Sequence, residues 1–157
     1  FKLTYNLYME KSIISDEEIN NAIEKIVEQI NVSEFKPEII LSINRGGCIP
    51  GVYLSHFFKK PHDIIDVKSL KAESGNKFSL LSNTIKENKS VLIIDDINDS
   101  GETFDIVKKI FSSSNCEIRL AALINNISSK TKIDYHGQLI DKKDNPVWYV
   151  FPWEDWW

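Results

Sequence analysis

The strongest constraint on this chain is a set of short, nearly unbroken apolar runs, each followed by a polar turn and then by helical periodicity. Glu38-Ile39-Ile40-Leu41-Ser42-Ile43, Val91-Leu92-Ile93-Ile94 and Ile118 to Ile124 lack the apolar/polar alternation of a strand with one wet face. Strands apolar on both faces are covered on both faces, as happens in parallel sheets joined by helical crossovers. Asp63 to Leu70 and Val147 to Phe151 read as further strands. Between them, Ile19, Ala22, Ile23, Ile26, Val27 and Ile30 recur at helical spacing after Ser15, which forms a capping box with Glu18. A second helix is expected after Pro50, running to about Phe58, and a third places Phe104, Val107, Ile110 and Phe111 on one face. Residues 71–79 are polar around Gly75 and read as a mobile loop. The expectation is an α/β fold with a largely parallel central sheet flanked by helices.

A length of 157 residues suits one domain, 1–157, and the 42% hydrophobic and 27% charged content excludes a disordered chain. A net charge of −4 argues against a general nucleic-acid binder, whose surface must neutralise phosphates. No apolar run approaches the roughly 18 residues that span a bilayer, so no membrane partner and a cytoplasmic location are expected. Cys48 and Cys116 have no metal-ligand spacing and imply no disulfide framework.

Ligands of parallel α/β sheets collect beyond the carboxyl ends of strands. At one such end stands Asp95-Asp96-Ile97-Asn98-Asp99-Ser100-Gly101-Glu102-Thr103. Two carboxylates leave a buried strand, and a turn with one glycine opens a helix whose unpaired N–H groups attract an anion. Ser100 and Thr103 add hydroxyl donors. Carboxylates beside an anion cradle make sense when they grip sugar hydroxyls or a Mg²⁺ that accompanies the ligand. At a second strand end, Asn44-Arg45-Gly46-Gly47 forms a turn which, taken alone, suits any tight bend.

Residues 91–103 resemble the phosphoribosyl-diphosphate (PRPP) signature of the type I phosphoribosyltransferases: apolar strand, two acids, two residues, then Asp-Ser/Thr-Gly-x-Thr. The resemblance implies that Asp95 and Asp96 hold ribose hydroxyls and Mg²⁺. It implies that Asp99, Ser100, Gly101, Glu102 and Thr103 wrap the 5′-phosphate, and that Asp99 sits near N7 of an incoming base as the catalytic residue. Arg45-Gly46-Gly47-Cys48-Ile49-Pro50-Gly51 is similar to the family's diphosphate loop, which implies a cis peptide at Asn44–Arg45 and backbone donors from Arg45, Gly46 and Gly47. Cys48 is read as a packed residue.

The tail Trp148-Tyr149-Val150-Phe151-Pro152-Trp153-Glu154 resembles the xanthine-guanine branch of that family. The likeness assigns base stacking to Trp148 and base-edge contacts to the main chain near Tyr149, within a C-terminal hood of about 128–157 over a core of about 15–127. Trp153, Trp156 and Trp157 read as core or subunit contacts. Two departures stand out. Purine enzymes of the group place a Lys after the strand that follows the PRPP helix, whereas this chain has Asn125 and Asn126, which become the candidate donors to the base; Lys130 and Lys132 reach only if their loop folds back. Lys68-Ser69-Leu70 stands where relatives show Ser-Ser-Tyr.

What the resemblance implies is a Mg²⁺-dependent pentosyltransferase of purine salvage. It would join a 6-oxopurine to PRPP, release diphosphate, and act as a homodimer or homotetramer. The alternative is a regulatory protein of the same fold that senses PRPP or a nucleotide.

Overall fold

The computed structural model describes residues 9–67, 89–144 and 146–154. The chain runs β1 (Glu10–Ile13), α1 (Asp16–Val32), β2 (Ile39–Ile43), α2 (Cys48–Phe58), β3 (His62–Ile65), β4 (Ser90–Asn98), α3 (Glu102–Phe111), β5 (Glu117–Asn126), β6 (Tyr135–Ile140) and β7 (Val147–Val150). Five strands form one sheet in the order β3-β2-β4-β5-β6, and every neighbouring pair is parallel. β1 and β7 pair separately, also in parallel.

The apolar runs are buried because both sheet faces carry a core. Leu92 and Ile94 face a cluster built with α1, Leu54 of α2 and Phe151, whereas Val91 and Ile93 face Phe104, Val107 and Phe111 of α3. All six periodic residues of α1 are buried. Ser15 caps this helix: Glu18 N–H donates to Ser15 Oγ at 3.2 Å, and Ser15 N–H donates to Glu18 Oε2 at 2.8 Å. Replacing Ser15 with Ala should therefore cost about 1 kcal/mol of stability, read as a lower denaturation midpoint with an unchanged slope.

Several elements differ from the sequence reading. β4 does not stop at Ile94 but carries Asp95 to Asn98 within the strand, because β5 continues alongside it to the Asn98–Asn125 pair. Asn98 is 1% exposed there, with Nδ2 donating to Asn125 Oδ1 and to Thr131 O, both at 2.8 Å. α2 begins at Cys48 rather than after Pro50, since a proline in the first helical turn forfeits only an N–H that has no intrahelical partner. β3 ends at Ile65. β7 pairs with β1, a strand the sequence reading does not contain; β6 is likewise new and forms the sheet edge. Residues 68–79, with the expected loop, and Trp156 and Trp157 lie outside the described residues.

Candidate active site

The parallel topology places the ends of β2 and β4 side by side, with Ser42 opposite Ile94. Beyond β4, Asp99-Ser100-Gly101 turns the chain into α3. Gly101 has φ 86°, and a Cβ there would meet Ser129 Oγ at 2.5 Å and Thr131 N at 2.6 Å, so the turn requires glycine. The carbonyls of this turn are held from behind. Asn126 Nδ2 donates to Asp99 O at 3.1 Å, Lys130 N–H to Ser100 O at 3.2 Å, and Thr131 Oγ1 to Gly101 O at 2.8 Å. In a trans peptide the N–H points opposite its C=O, so the Ser100 and Gly101 amides face away from that support. Among the described residues these two amides, and those of Thr103 and Phe104, have no partner. They open on a crevice of about 230 Å³ lined by Asp95 to Phe104. A helix N-terminus with free amides and the hydroxyls of Ser100 and Thr103 is chemically an anion site.

The turn after β2 presses on the acidic strand end. The Asn44–Arg45 peptide bond is cis. A Cβ on Gly46 would overlap the Asp96 carboxylate, which fixes how closely the two loops approach. Gly47 departs from its expected role: its N–H donates to Ile43 O at 2.9 Å and also faces Asp95, so it is committed inside the protein. The Arg45 and Gly46 amides have no partner among the described residues.

Asp95 is 9% exposed, and its Oδ1 accepts from Asp96 N–H at 3.0 Å. Burial, reinforced by the Asp96 charge, pushes its pKa well above the usual carboxylate range. Asp96 accepts from Ile97 N–H at 2.7 Å, yet burial, with the Glu154 carboxylate adding to it, pushes its pKa up to about 6. Trp153, stacked on Phe151 at 4.9 Å, brings a buried indole N–H beside Asp96 without closing a regular hydrogen bond. Among the described residues no lysine or arginine pairs with either carboxylate. The acid pair is short of positive charge.

A sequence profile of the phosphoribosyl transferase domain matches residues 11–154. The chain belongs to this family. The phosphoribosyl transferase domain is 24% identical over 120 residues to a xanthine-guanine phosphoribosyltransferase of Cereibacter sphaeroides, covering 73% of this chain and 68% of that protein. It is also 30% identical over 106 residues to a protein of Methanococcus aeolicus named translation initiation factor 6, covering 68% of this chain but only 46% of that one. Among solved structures, a purine phosphoribosyltransferase from Pyrococcus horikoshii superposes with a TM-score of 0.69 at 25% identity, covering 94% of this chain and 95% of the other.

In this phosphoribosyl transferase domain the sequence-predicted residues fall into two groups. Asp95, Asp96, Asp99, Ser100, Gly101, Glu102 and Thr103 line one crevice, and Asn44 to Gly47 abut it through Gly46. Trp148 remains 42% exposed on β7, while Tyr149 packs against the core beneath. Both asparagines also make contacts within the protein. Asn126 is buried, with Nδ2 donating to Asp99 O and Oδ1 accepting from the N–H groups of Ser128 and Lys142. Asn125 turns its Oδ1 to Asn98. The cation that sequence reasoning missed is Lys142, in the turn after β6: its Nζ lies 2.8 Å from Asp99 Oδ2. Nothing local marks it, since Lys142-Lys143-Asp144 reads as an ordinary polar turn.

Proposed function

We propose that this domain transfers the phosphoribosyl group of PRPP to a purine carrying a 6-oxo group, giving a nucleoside 5′-monophosphate and diphosphate. The observation that carries this reading is the turn Asp99-Ser100-Gly101, whose carbonyls are pinned from behind while its amides stay free, directly beside an uncompensated acid pair. An anion and a cation-bearing sugar match those two neighbours.

The amides of Ser100, Gly101, Thr103 and Phe104 take the 5′-phosphate, with the Ser100 and Thr103 hydroxyls adding donors and Glu102 bounding the cradle. Asp95 and Asp96 take the ribose hydroxyls. Mg²⁺ fits the same carboxylates on their chemistry: the buried Asp95 and half-buried Asp96 are oxygen donors lacking counter-charge, with no cluster of three or more His, Cys, Asp or Glu among the described residues to form a closed protein site. Such a site leaves the ion its substrate oxygens and waters; when bound, Mg²⁺ supplies charge neutralisation for the diphosphate. The free amides of Arg45 and Gly46 donate to the diphosphate as negative charge grows on it.

In the reaction the C1–O bond to diphosphate breaks and diphosphate leaves with the bonding pair. A ring nitrogen of the base bonds to C1, and the proton shed by the base goes to Asp99. Trp148, exposed on β7, stacks on the base and orients it. The test is incubation of the protein with PRPP, Mg²⁺ and a panel of nucleobases, with products identified by mass. The expected product is the monophosphate of an oxopurine. Tight PRPP or nucleotide binding without turnover of any base would instead assign the chain to sensing.

A further inference from the structure

We propose that Lys142, through its pairing with Asp99, is the residue that makes the site choose an oxo substituent over an amino substituent on the base. The proposal rests on the transferase reading above and names what selects its substrate.

The Lys142 Nζ to Asp99 Oδ2 contact of 2.8 Å is not a casual surface pair, because the lysine side chain is only 15% exposed. Its position is fixed by one buried amide: Asn126 Nδ2 donates to Asp99 O at 3.1 Å, and Asn126 Oδ1 accepts from Lys142 N–H at 3.1 Å. Asn126 therefore ties together two residues 43 positions apart in sequence and sets the spacing of their side chains. Asp99 lines the crevice beside the anion cradle, so the pair stands at its edge.

A carboxylate only accepts hydrogen bonds, and an ammonium only donates them. Asp99 uses Oδ2 for Lys142 and retains Oδ1. A ligand approaching this edge meets an acceptor beside a donor, so its complement is an N–H beside a carbonyl oxygen. The imidazole N–H and adjacent C6 oxygen of a 6-oxopurine form that edge. A 6-aminopurine turns an N–H₂ toward the ammonium, leaving donor against donor in a half-dry site. A site that hydrogen-bonds one substituent discriminates against the analogue that cannot pair with it.

The experiment measures kcat and KM with hypoxanthine and with adenine, which differ in the group at C6 and in the proton this places on N1, for the wild-type chain, Lys142→Met and Lys142→Arg. Lys142→Met should lose about 10- to 100-fold in kcat/KM for hypoxanthine. Its KM for PRPP should hold, and the hypoxanthine-to-adenine ratio should collapse. Lys142→Arg should keep the preference, since it keeps the donor. Folding is followed by near-ultraviolet dichroism and by the PRPP-induced rise in melting temperature. An active wild type whose ratio is unmoved in a folded Lys142→Met overturns the assignment alone. A wild type inert toward every base overturns the transferase reading together with it.

Discussion

With Asp99 changed to Asn, nucleotide formation should fall by about 10²- to 10⁴-fold, the range typical of a lost general base. Asn keeps the shape of the side chain and can still accept a hydrogen bond from Lys142, but it cannot receive the proton that the base sheds. PRPP binding should survive. The contribution of residue 99 to the phosphate turn is its carbonyl, pinned by Asn126, and the cradle itself is built from amides further along the turn and into α3. Calorimetry with PRPP and Mg²⁺, set beside single-turnover kinetics, separates the two effects. Equal turnover in variant and wild type would remove Asp99 from proton transfer. A parallel loss of PRPP affinity would recast it as part of the cradle.

Patterns carried by neighbouring residues were legible in the sequence. The helical spacing from Ile19 to Ile30 and the Ser15–Glu18 box announce α1, because both depend on residues three and four apart. The unbroken apolar runs announce strands with two covered faces. β6 was hidden because Tyr135-His136-Gly137-Gln138-Leu139-Ile140 has neither an apolar run nor clean alternation. It is a strand because it pairs along β5 and because Gly137 lets α1 approach at Ala22. In the site, Asp95 to Thr103 were legible as one continuous segment. Lys142 and the clamping role of Asn126 were not, since each exists only after the chain beyond β5 has returned to the end of β4. A strand-end asparagine looks the same in sequence whether it faces a ligand or fastens a turn; burial decides between them.

Changing Asp96 to Asn should make the ligand-free protein more stable at pH 7 while abolishing its response to PRPP and Mg²⁺. The folded state holds the Asp96 pKa at about 6, above the ordinary value of 3.8, because burial and Glu154 disfavour the charged form. Between those two values the folded chain binds more protons than the unfolded one, so stability declines as pH rises from about 4 to about 6 and stays low above. At pH 7 this cost has an upper bound of about 3 kcal/mol. Asp95, deeper and raised further by burial and by Asp96, acts in the same direction. A neutral isostere at position 96 removes the cost, and each kcal/mol recovered should raise the melting temperature by about 2–4 °C for a chain of this size. The gain should shrink at pH 4, where the wild-type carboxyl is protonated in the folded state. Ligand should run the other way: on the proposed function Mg²⁺ with PRPP would bind the charged pair and raise the wild-type melting temperature, while leaving the variant where it was. On the proposed function, the stability that the two carboxylates cost the empty protein is offset when a cation-bearing sugar phosphate binds. An Asp96→Asn protein that melts lower at pH 7 and still gains the wild-type increment from PRPP and Mg²⁺ would show that the pair serves the fold instead.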